Sequence, residues 1–420
     1  MTIPAHLERT GERAGGGLAV PIRLSIMMLM EFIVFGSWFA TFGLVLATHG
    51  LDAIIGPAYL LSAIAAVLSS LLLGAIGDRY LAPRTVLCLA HLAGAGLLAL
   101  IPYSIGIGAA EMTLALIFGY MLLFQPTLGL VISIALVSLG ERRSIFPYVR
   151  IAAPIGWVCA GLSVGALGLS ASTGVFYIAA ASSLILAIYA ITLPANARHG
   201  ARARFSAGDL IGSKALVLFR EPSFTVLMIC TLMTAISFGV YNAFASPYLA
   251  VLGISNVAGV LALGQISEVL FIGTIPWVLA RIGIKWALLI GMAMWGVRFL
   301  LFTAASAGFP ELAIVGVAVH GICNDYFVII AAMYIGRVAS ADLQSQAQGW
   351  LILMLSGFGQ GIGSAVAGAI YATRVSVRTE MGAQAWTPLW LVPIGLALAT
   401  CFVWVTFFRP VPEPQCSTTT

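Results

Sequence analysis

Charged residues are scarce in this chain. Asp, Glu, Lys and Arg make up 8% of its 420 residues, against about 25% in an ordinary soluble protein. A soluble domain of that length could not cover its surface with so few. With 61% hydrophobic residues and a mean hydropathy of +1.05, the scarcity excludes a soluble enzyme, a nucleic-acid binder and a disordered chain. The alternation of a membrane β-barrel is missing too, because the apolar runs are continuous. The six cysteines make neither a disulfide framework nor a metal-ligand spacing. Cys88, Cys159, Cys230, Cys323 and Cys401 lie in apolar segments, and Cys416 lies beyond them. The first 20 residues carry acids and no small-residue cleavage site behind an apolar core, so they read as a cytoplasmic tail and not as a signal peptide.

What is present is a series of apolar runs. A spanning helix needs about 20 residues. Twelve such spans lie near 23–48, 56–77, 85–104, 111–139, 148–169, 173–194, 223–250, 257–280, 286–304, 310–336, 346–372 and 386–408. Basic residues mark one side of them. Arg9, Arg13, Arg23, Arg79, Arg84, Arg142, Arg143, Arg198, Arg202, Arg204, Lys214, Arg220, Arg281, Lys285, Arg337 and Arg409 all fall in ends or loops of the same side. The opposite loops hold Arg374 and Arg378 alone. By the positive-inside rule the basic side is cytoplasmic, with both termini inside. The location expected is a bacterial-type inner membrane.

The only long connection, 195–222, falls midway. It divides the chain into a tail (1–22), a six-helix bundle (23–194), a cytoplasmic linker (195–222), a second six-helix bundle (223–408) and a tail (409–420). The fold class expected is an all-α membrane protein with the major facilitator fold. In that fold, two pseudo-symmetric six-helix halves rock about a midplane site. Within the linker, Asp209 to Phe219 could form a short amphipathic helix lying in the membrane interface.

Charges inside spans cost about 2.5–3.5 kcal/mol each at the centre on insertion scales, and so suggest function by default. They are Glu31, Arg150, Glu268, Arg298 and Asp325. Glu31 and Arg298 are expected to serve as structural ion pairs between helices. Glu268 has Gln265 on the same helical face, three residues away, and the two make a polar patch on an apolar helix. Asp325 sits beside Asn324, with His320 five residues earlier. A carboxyl group taken out of water can load and release a proton near neutral pH, the chemistry of a proton-coupled carrier. His91 is a lone polar group, expected to be a satisfied interior donor.

Several motifs read as packing or gating. Gly74, Asp78 and Arg79, with Arg84 beyond, resemble the major facilitator signature after the second span, although Leu81 replaces its second glycine. Their expected role is to latch one state. In the eleventh span, Gly357, Gly361, Ala365 and Ala369 form one small-residue stripe, and Gly359, Gly363 and Ala367 another. Both are expected to let helices touch. Gly161-Leu-Ser163-Val-Gly165 matches a nucleophile-elbow pattern, but that elbow needs a strand–turn–helix, so it too reads as packing. Trp277, Trp286, Trp386, Trp390 and Tyr80 fall near span ends, as interfacial anchors do. Trp38, Trp157, Tyr241 and Tyr326 lie deeper, beside polar groups, where a flat ligand could stack.

Taken together, these residues resemble the nucleoside:proton symporters of the major facilitator superfamily, the nucleoside permease G type, over nearly the whole chain. The markers are Phe35-Gly-Ser-Trp38, Gly74 to Arg79, Pro126 to Leu130, and Phe146-Pro-Tyr-Val-Arg150. Further markers are Gln265-Ile-Ser-Glu268 with Leu270-Phe271, Arg281 to Lys285, Asp325-Tyr-Phe327 and Ala347-Gln-Gly349. The resemblance implies import of nucleosides by proton symport. It implies that Arg150, Asn242, Gln265 and Glu268 hydrogen-bond the base and ribose, and that Asp325 carries or controls the coupling proton. Trp157, Asn324 and Tyr326 complete the expected substrate site, and Glu268 is a second candidate for proton coupling. The chain departs from the family pattern at Pro154 and Trp157 (Thr and Phe in the family), Gly239 (Gln), His320 (Tyr) and Asn324 (Phe). The altered positions keep open a second cargo, a sugar or another small polar metabolite. Export of amphipathic compounds, a ligand sensor and an intramembrane enzyme are weaker alternatives. No cofactor or metal is expected; the coupling ion is the proton. The partners expected are substrate, protons and lipid, with no nucleic acid, and the chain is expected to be a monomer.

Overall fold

In the computed structural model of the chain, the described residues are 19–80, 82–194, 213–340 and 342–409, and of residues 70–80 the backbone alone. Helices and turns account for them, with no strand among the described residues. The first half of the chain comprises α1 (Ala19–Gly36), α2 (Phe42–Thr48), α3 (Ile55–Tyr80), α4 (Pro83–Gly106), α5 (Ala110–Leu139), α6 (Phe146–Arg150), α7 (Ala152–Ala166) and α8 (Gly174–Thr192). The second half comprises α9 (Pro222–Val251), α10 (Val257–Ile272), α11 (Ile275–Ser306), α12 (Glu311–Ala318), α13 (His320–Asn324), α14 (Ile330–Val338), α15 (Gln344–Ile352), α16 (Gln360–Ile370) and α17 (Thr387–Phe407). Wide π turns at Asp325–Ile329 and Leu353–Gly359 join α13 to α14 and α15 to α16.

Local chemistry sets many of these boundaries. Pro83 and Pro222 open α4 and α9, at the helix position where a missing N–H costs nothing. The Asn256 side chain caps α10 by accepting from the Gly259 N–H at 3.0 Å. Gly283 takes φ +71° inside α11 and breaks it where the sequence places the loop between the eighth and ninth spans. The first predicted span is interrupted at Ser37–Thr41, so α1 and α2 are separate helices.

Nine helical stretches are long and apolar enough to cross a membrane among the described residues. Two of them, Ala110–Ala166 and Gln344–Phe407, run 57 and 64 residues. Each is more than twice the roughly 20 residues a crossing needs. The first is interrupted at Gly140–Ile145, and the second at the π turn Leu353–Gly359 and again over 371–386. Val257–Ile272 is a shorter apolar helix.

The apolar cores show how the halves meet. One core holds first-half residues alone, including Leu24, Met28, Leu87 and Leu139. A second holds residues from 215 onward alone, including Leu227, Leu288, Ile330 and Trp404. The third is shared, joining Trp38, Phe42 and Tyr59 to Tyr241, Phe244 and Tyr248. The halves are therefore fused at one end of the bundle and have separate cores at the other, where residues 19, 213 and 409 lie.

Several packing expectations are sharpened. The two small-residue stripes serve two different neighbours. A Cβ on Gly363 would come 2.1 Å from Ile236 O of α9, and one on Gly357 2.6 Å from the Val67 side chain of α3. Gly161 and Gly165 pack on α10, at Ala262 and Asn256. Trp277 and Trp286 are more than half exposed, as anchors should be, whereas Trp386 and Trp390 are fully buried against Tyr248. Those two are core residues and not interfacial anchors, because α17 turns that face to α9 and α11. Tyr80 and the Gly74–Arg79 motif lie where side chains are outside the described residues. Of the linker segment, 209–212 is likewise outside. Ser213–Arg220 docks on the second half through Ala215 N–H donating to Gln346 Oε1 at 3.2 Å and Phe219 against Trp350.

Candidate functional site

A cavity of about 310 Å³ lies between the two halves, at the small end of the range for small-molecule sites. Its two walls differ in chemistry. The first-half wall is mainly aromatic: Phe32, Phe35, Phe39, Tyr59 and Trp157, with Ser62 and Gln125 as polar exceptions. Trp157 meets Phe35 edge-on at 5.1 Å. Two glycines bring it there. A Cβ on Gly36 would lie 3.0 Å from Trp157 Cα, and one on Gly156 2.2 Å from Leu29 O, so α1 and α7 approach backbone to backbone. The second-half wall carries most of the polar groups, Asn242, Gln265, Glu268, His320, Asn324 and Gln360, beside the rings of Phe238 and Tyr241.

Close approach also builds the polar wall. A Cβ on Gly321 would lie 2.4 Å from Ser267 O, and one on Gly264 3.1 Å from His320 Cβ. The Gly321 N–H donates to Ser267 Oγ at 2.7 Å. This contact between α10 and α13 places Glu268 against His320 and Asn324. Asn324 Nδ2 donates to Glu268 Oε1 at 2.7 Å, and His320 Nε2 stands 3.2 Å from the same oxygen.

Behind them sits Arg298, fully buried. Its Nη2 is 2.8 Å from His320 Nδ1, and its Nε donates to Gly316 O at 2.9 Å. Its guanidinium lies over the rings of Tyr241 and Trp295, at 4.4 and 4.5 Å. An arginine can only donate, so Nδ1 of His320 is the acceptor. The imidazole is therefore neutral, with its proton on Nε2 and directed at Glu268. Among the described residues Arg298 thus forms no direct ion pair with an acid, contrary to expectation. It reaches Glu268 through His320.

Asp325 follows Asn324 and opens the π turn. It is 4% exposed, and its Oδ2 has no hydrogen-bond partner among the described residues. Its charge and that of Glu268 act on each other. A π turn inside a helix often marks a functional site, and this one packs where a Cβ on Gly291 would come 2.7 Å from Phe327 N.

Of the residues expected to bind substrate, Trp157, Asn242, Gln265, Glu268 and Asn324 line the cavity together. Arg150 stands behind the wall, its guanidinium 5.1 Å from the Phe32 ring centre and within electrostatic reach of Glu268. Tyr326 does not join them. Its hydroxyl bonds Thr274 Oγ1 at 2.6 Å, its ring meets Phe271, and it belongs to the core of the second half. Two residues of backbone rotation past Asn324 turn it away. Glu31 and His91 form a closed structural cluster. His91 Nε2 is 2.9 Å from Glu31 Oε2, its Nδ1 is 3.0 Å from Ser183 Oγ, and Thr127 donates to Glu31 Oε1.

The sequence reading passed over Ser356, Gln360 and Ser364, which also line the cavity. The signal was present as three polar residues at intervals of four, interleaved with the glycine stripes.

Among the described residues the halves close over the cavity at one end. There Leu44 N–H donates to Ser246 Oγ, Ala258 N–H donates to Ser170 Oγ, and Gly56 meets Gly368 with a built Cβ only 2.8 Å from its Cα.

A family model described as "Nucleoside H+ symporter" matches residues 18–413. The xanthosine permease of Escherichia coli (strain K12) is 28% identical over 417 residues, 95% of this chain and 98% of the permease. The nucleoside permease NupG of the same organism is 29% identical over 409 residues, 92% of this chain and 96% of NupG. A crystal structure of NupG superposes with a TM-score of 0.82 at 28% identity, covering 93% of this chain and 99% of that one. A peptide transporter, POT, superposes at 0.70 with 13% identity over 93% and 95% of the two chains, a likeness of fold alone. The architecture is that of the major facilitator transporters.

Proposed function

The chain belongs to the nucleoside H+ symporter family, and from that premise we propose that it imports nucleosides by proton symport through alternating access. The observation that carries the reading is the cavity itself. An aromatic wall from one half faces an amide and carboxylate wall from the other. A planar base can stack on the first while its edge and the ribose hydroxyls bond the second.

In this reading Trp157 stacks the base, and Asn242, Gln265, Glu268 and Asn324 hydrogen-bond the nucleoside. Arg150 acts from behind the wall by balancing the Glu268 charge. Asp325 and Glu268 handle the proton. Two carboxylates sharing one region of low dielectric cannot both ionise cheaply. A proton taken by Asp325 leaves Glu268 ionised and able to accept a ribose hydroxyl. Loss of either proton or substrate then disfavours the other, and that is the coupling.

The protein sits in the inner membrane as a multi-pass chain of twelve spans in two six-helix halves, with both termini cytoplasmic, and works as a monomer. The end where residues 19, 213 and 409 gather faces the cytoplasm, so the cavity opens inward. Gly74, Asp78 and Arg79 latch the opposite state. Uptake of labelled uridine or adenosine into proteoliposomes tests the reading. Accumulation above the outside concentration is expected when the outside is more acidic. Uptake no greater than in empty vesicles, with or without the gradient, contradicts it.

A further inference from the structure

Nothing in the substrate site as read so far uses Gln360, yet it is the one side chain of α16 built into a second-half amide pair. Asn242 Nδ2 donates to Gln360 Oε1 at 2.9 Å, and both residues line the cavity. The pair depends on two glycines. A Cβ on Gly239 would stand 2.4 Å from Gln360 O, and one on Gly363 2.1 Å from Ile236 O. Glycine at 239 therefore lets α16 press against α9 backbone to backbone, and brings Gln360 to the height of Asn242. The π turn at Leu353–Gly359 ends immediately before it. Ser364 Oγ donates to Gln360 O at 2.7 Å and steadies that turn of helix.

The shared bond uses one N–H of Asn242 and the oxygen of Gln360. The pair keeps Oδ1 of Asn242 as an acceptor and Nε2 of Gln360 as a donor, together with the second N–H of Asn242. An acceptor beside a donor is the complement of an imide or amidine edge, as carried by uracil, hypoxanthine or adenine. The aromatic wall of Phe35, Phe39 and Trp157 stands across the cavity, so a stacked ring would present its edge to the amides. We propose that Gln360 is a specificity-determining residue. With Asn242 it reads the hydrogen-bonding edge of the nucleobase, selecting bases that carry a donor and an acceptor side by side. The proposal rests on the nucleoside reading above and assigns the base contact to α16.

The test is equilibrium binding to the purified full chain by calorimetry, with inosine, adenosine and benzimidazole riboside. The last keeps a fused planar ring and the ribose but has neither N1 nor an exocyclic group, so it offers the two amides no hydrogen-bonding edge. The wild type is expected to prefer inosine and adenosine by about tenfold, as for one to two discriminating hydrogen bonds. Gln360→Leu keeps the volume and removes the amide. It should weaken inosine and adenosine about tenfold, leave benzimidazole riboside within about twofold, and so erase the preference. Gln360→Glu keeps the oxygen that faces Asn242 and loses the Nε2 donor. It should lose the preference as well, and it serves if the leucine variant does not fold. A variant that folds and keeps the wild-type preference overturns the proposal while nucleoside binding stands. A wild type that binds none of the three overturns the nucleoside reading, and this proposal with it.

Discussion

Replacing His320 by phenylalanine tests the polar wall more sharply than removing Glu268 itself. The imidazole accepts from Arg298 at 2.8 Å and approaches Glu268 at 3.2 Å, so His320→Phe deletes both links and keeps a ring. Each link involves a charged partner, worth about 1.5–3 kcal/mol. Arg298 would keep Gly316 O and the two aromatic faces, which holds the stability loss near the lower end, about 3 kcal/mol. Glu268 would keep Asn324 alone on Oε1. Its loosened carboxylate should cost nucleoside affinity about tenfold, or about 1.4 kcal/mol. The control is His320→Gln, whose amide can accept from Arg298 and donate to Glu268. Thermal melts in detergent and calorimetric titration with adenosine read both effects. The phenylalanine variant should melt lower and bind weaker, and the glutamine variant should recover most of both. If the two variants behave alike, the hydrogen-bonded relay from Arg298 to Glu268 is not what holds the wall.

Three further outcomes are expected. Glu31→Gln disrupts the buried Glu31–His91–Thr127 cluster and should lower the melting temperature, at a cost of about 2 kcal/mol. Adenosine affinity, measured by calorimetry, should stay within about twofold. Trp157→Ala removes the stacking face opposite the amides and should weaken adenosine and uridine alike by roughly tenfold or more, since base stacking contributes about 1–3 kcal/mol; a change confined to one base would contradict stacking. Asp325→Asn should keep nucleoside counterflow between equal pools and abolish accumulation against a gradient, both read with labelled uridine.

The all-helical membrane architecture was legible because apolar length is a property of the sequence itself. Glu31 was legible as a structural group and His91 as a satisfied interior donor, but not as partners of each other or of Thr127, since nothing in sequence spacing links residues 60 or 96 apart. The polar wall was legible residue by residue at Gln265, Glu268 and Asn324. Its backing was not, because the Arg298–His320 contact joins α11 to α13 across a bundle. Tyr326 was misplaced for a related reason. The helix widens at Asp325, and regular helical spacing cannot say which face follows a π turn. Trp386 and Trp390 look like anchors by position, but packing of α17 on α9 and α11 decides their burial. Gln360 was hidden among glycines whose meaning as packing was clear, while the polar residues between them had no visible partner until α9 was laid beside α16.

The central claim is that nucleoside and proton enter together. Wild-type protein in proteoliposomes, with a pH-sensitive dye in the lumen and no imposed gradient, reads this directly. Adding uridine or adenosine outside should acidify the lumen, and Asp325→Asn should abolish the signal while still exchanging nucleoside. Nucleoside entry with no accompanying proton movement in the wild type would contradict the account.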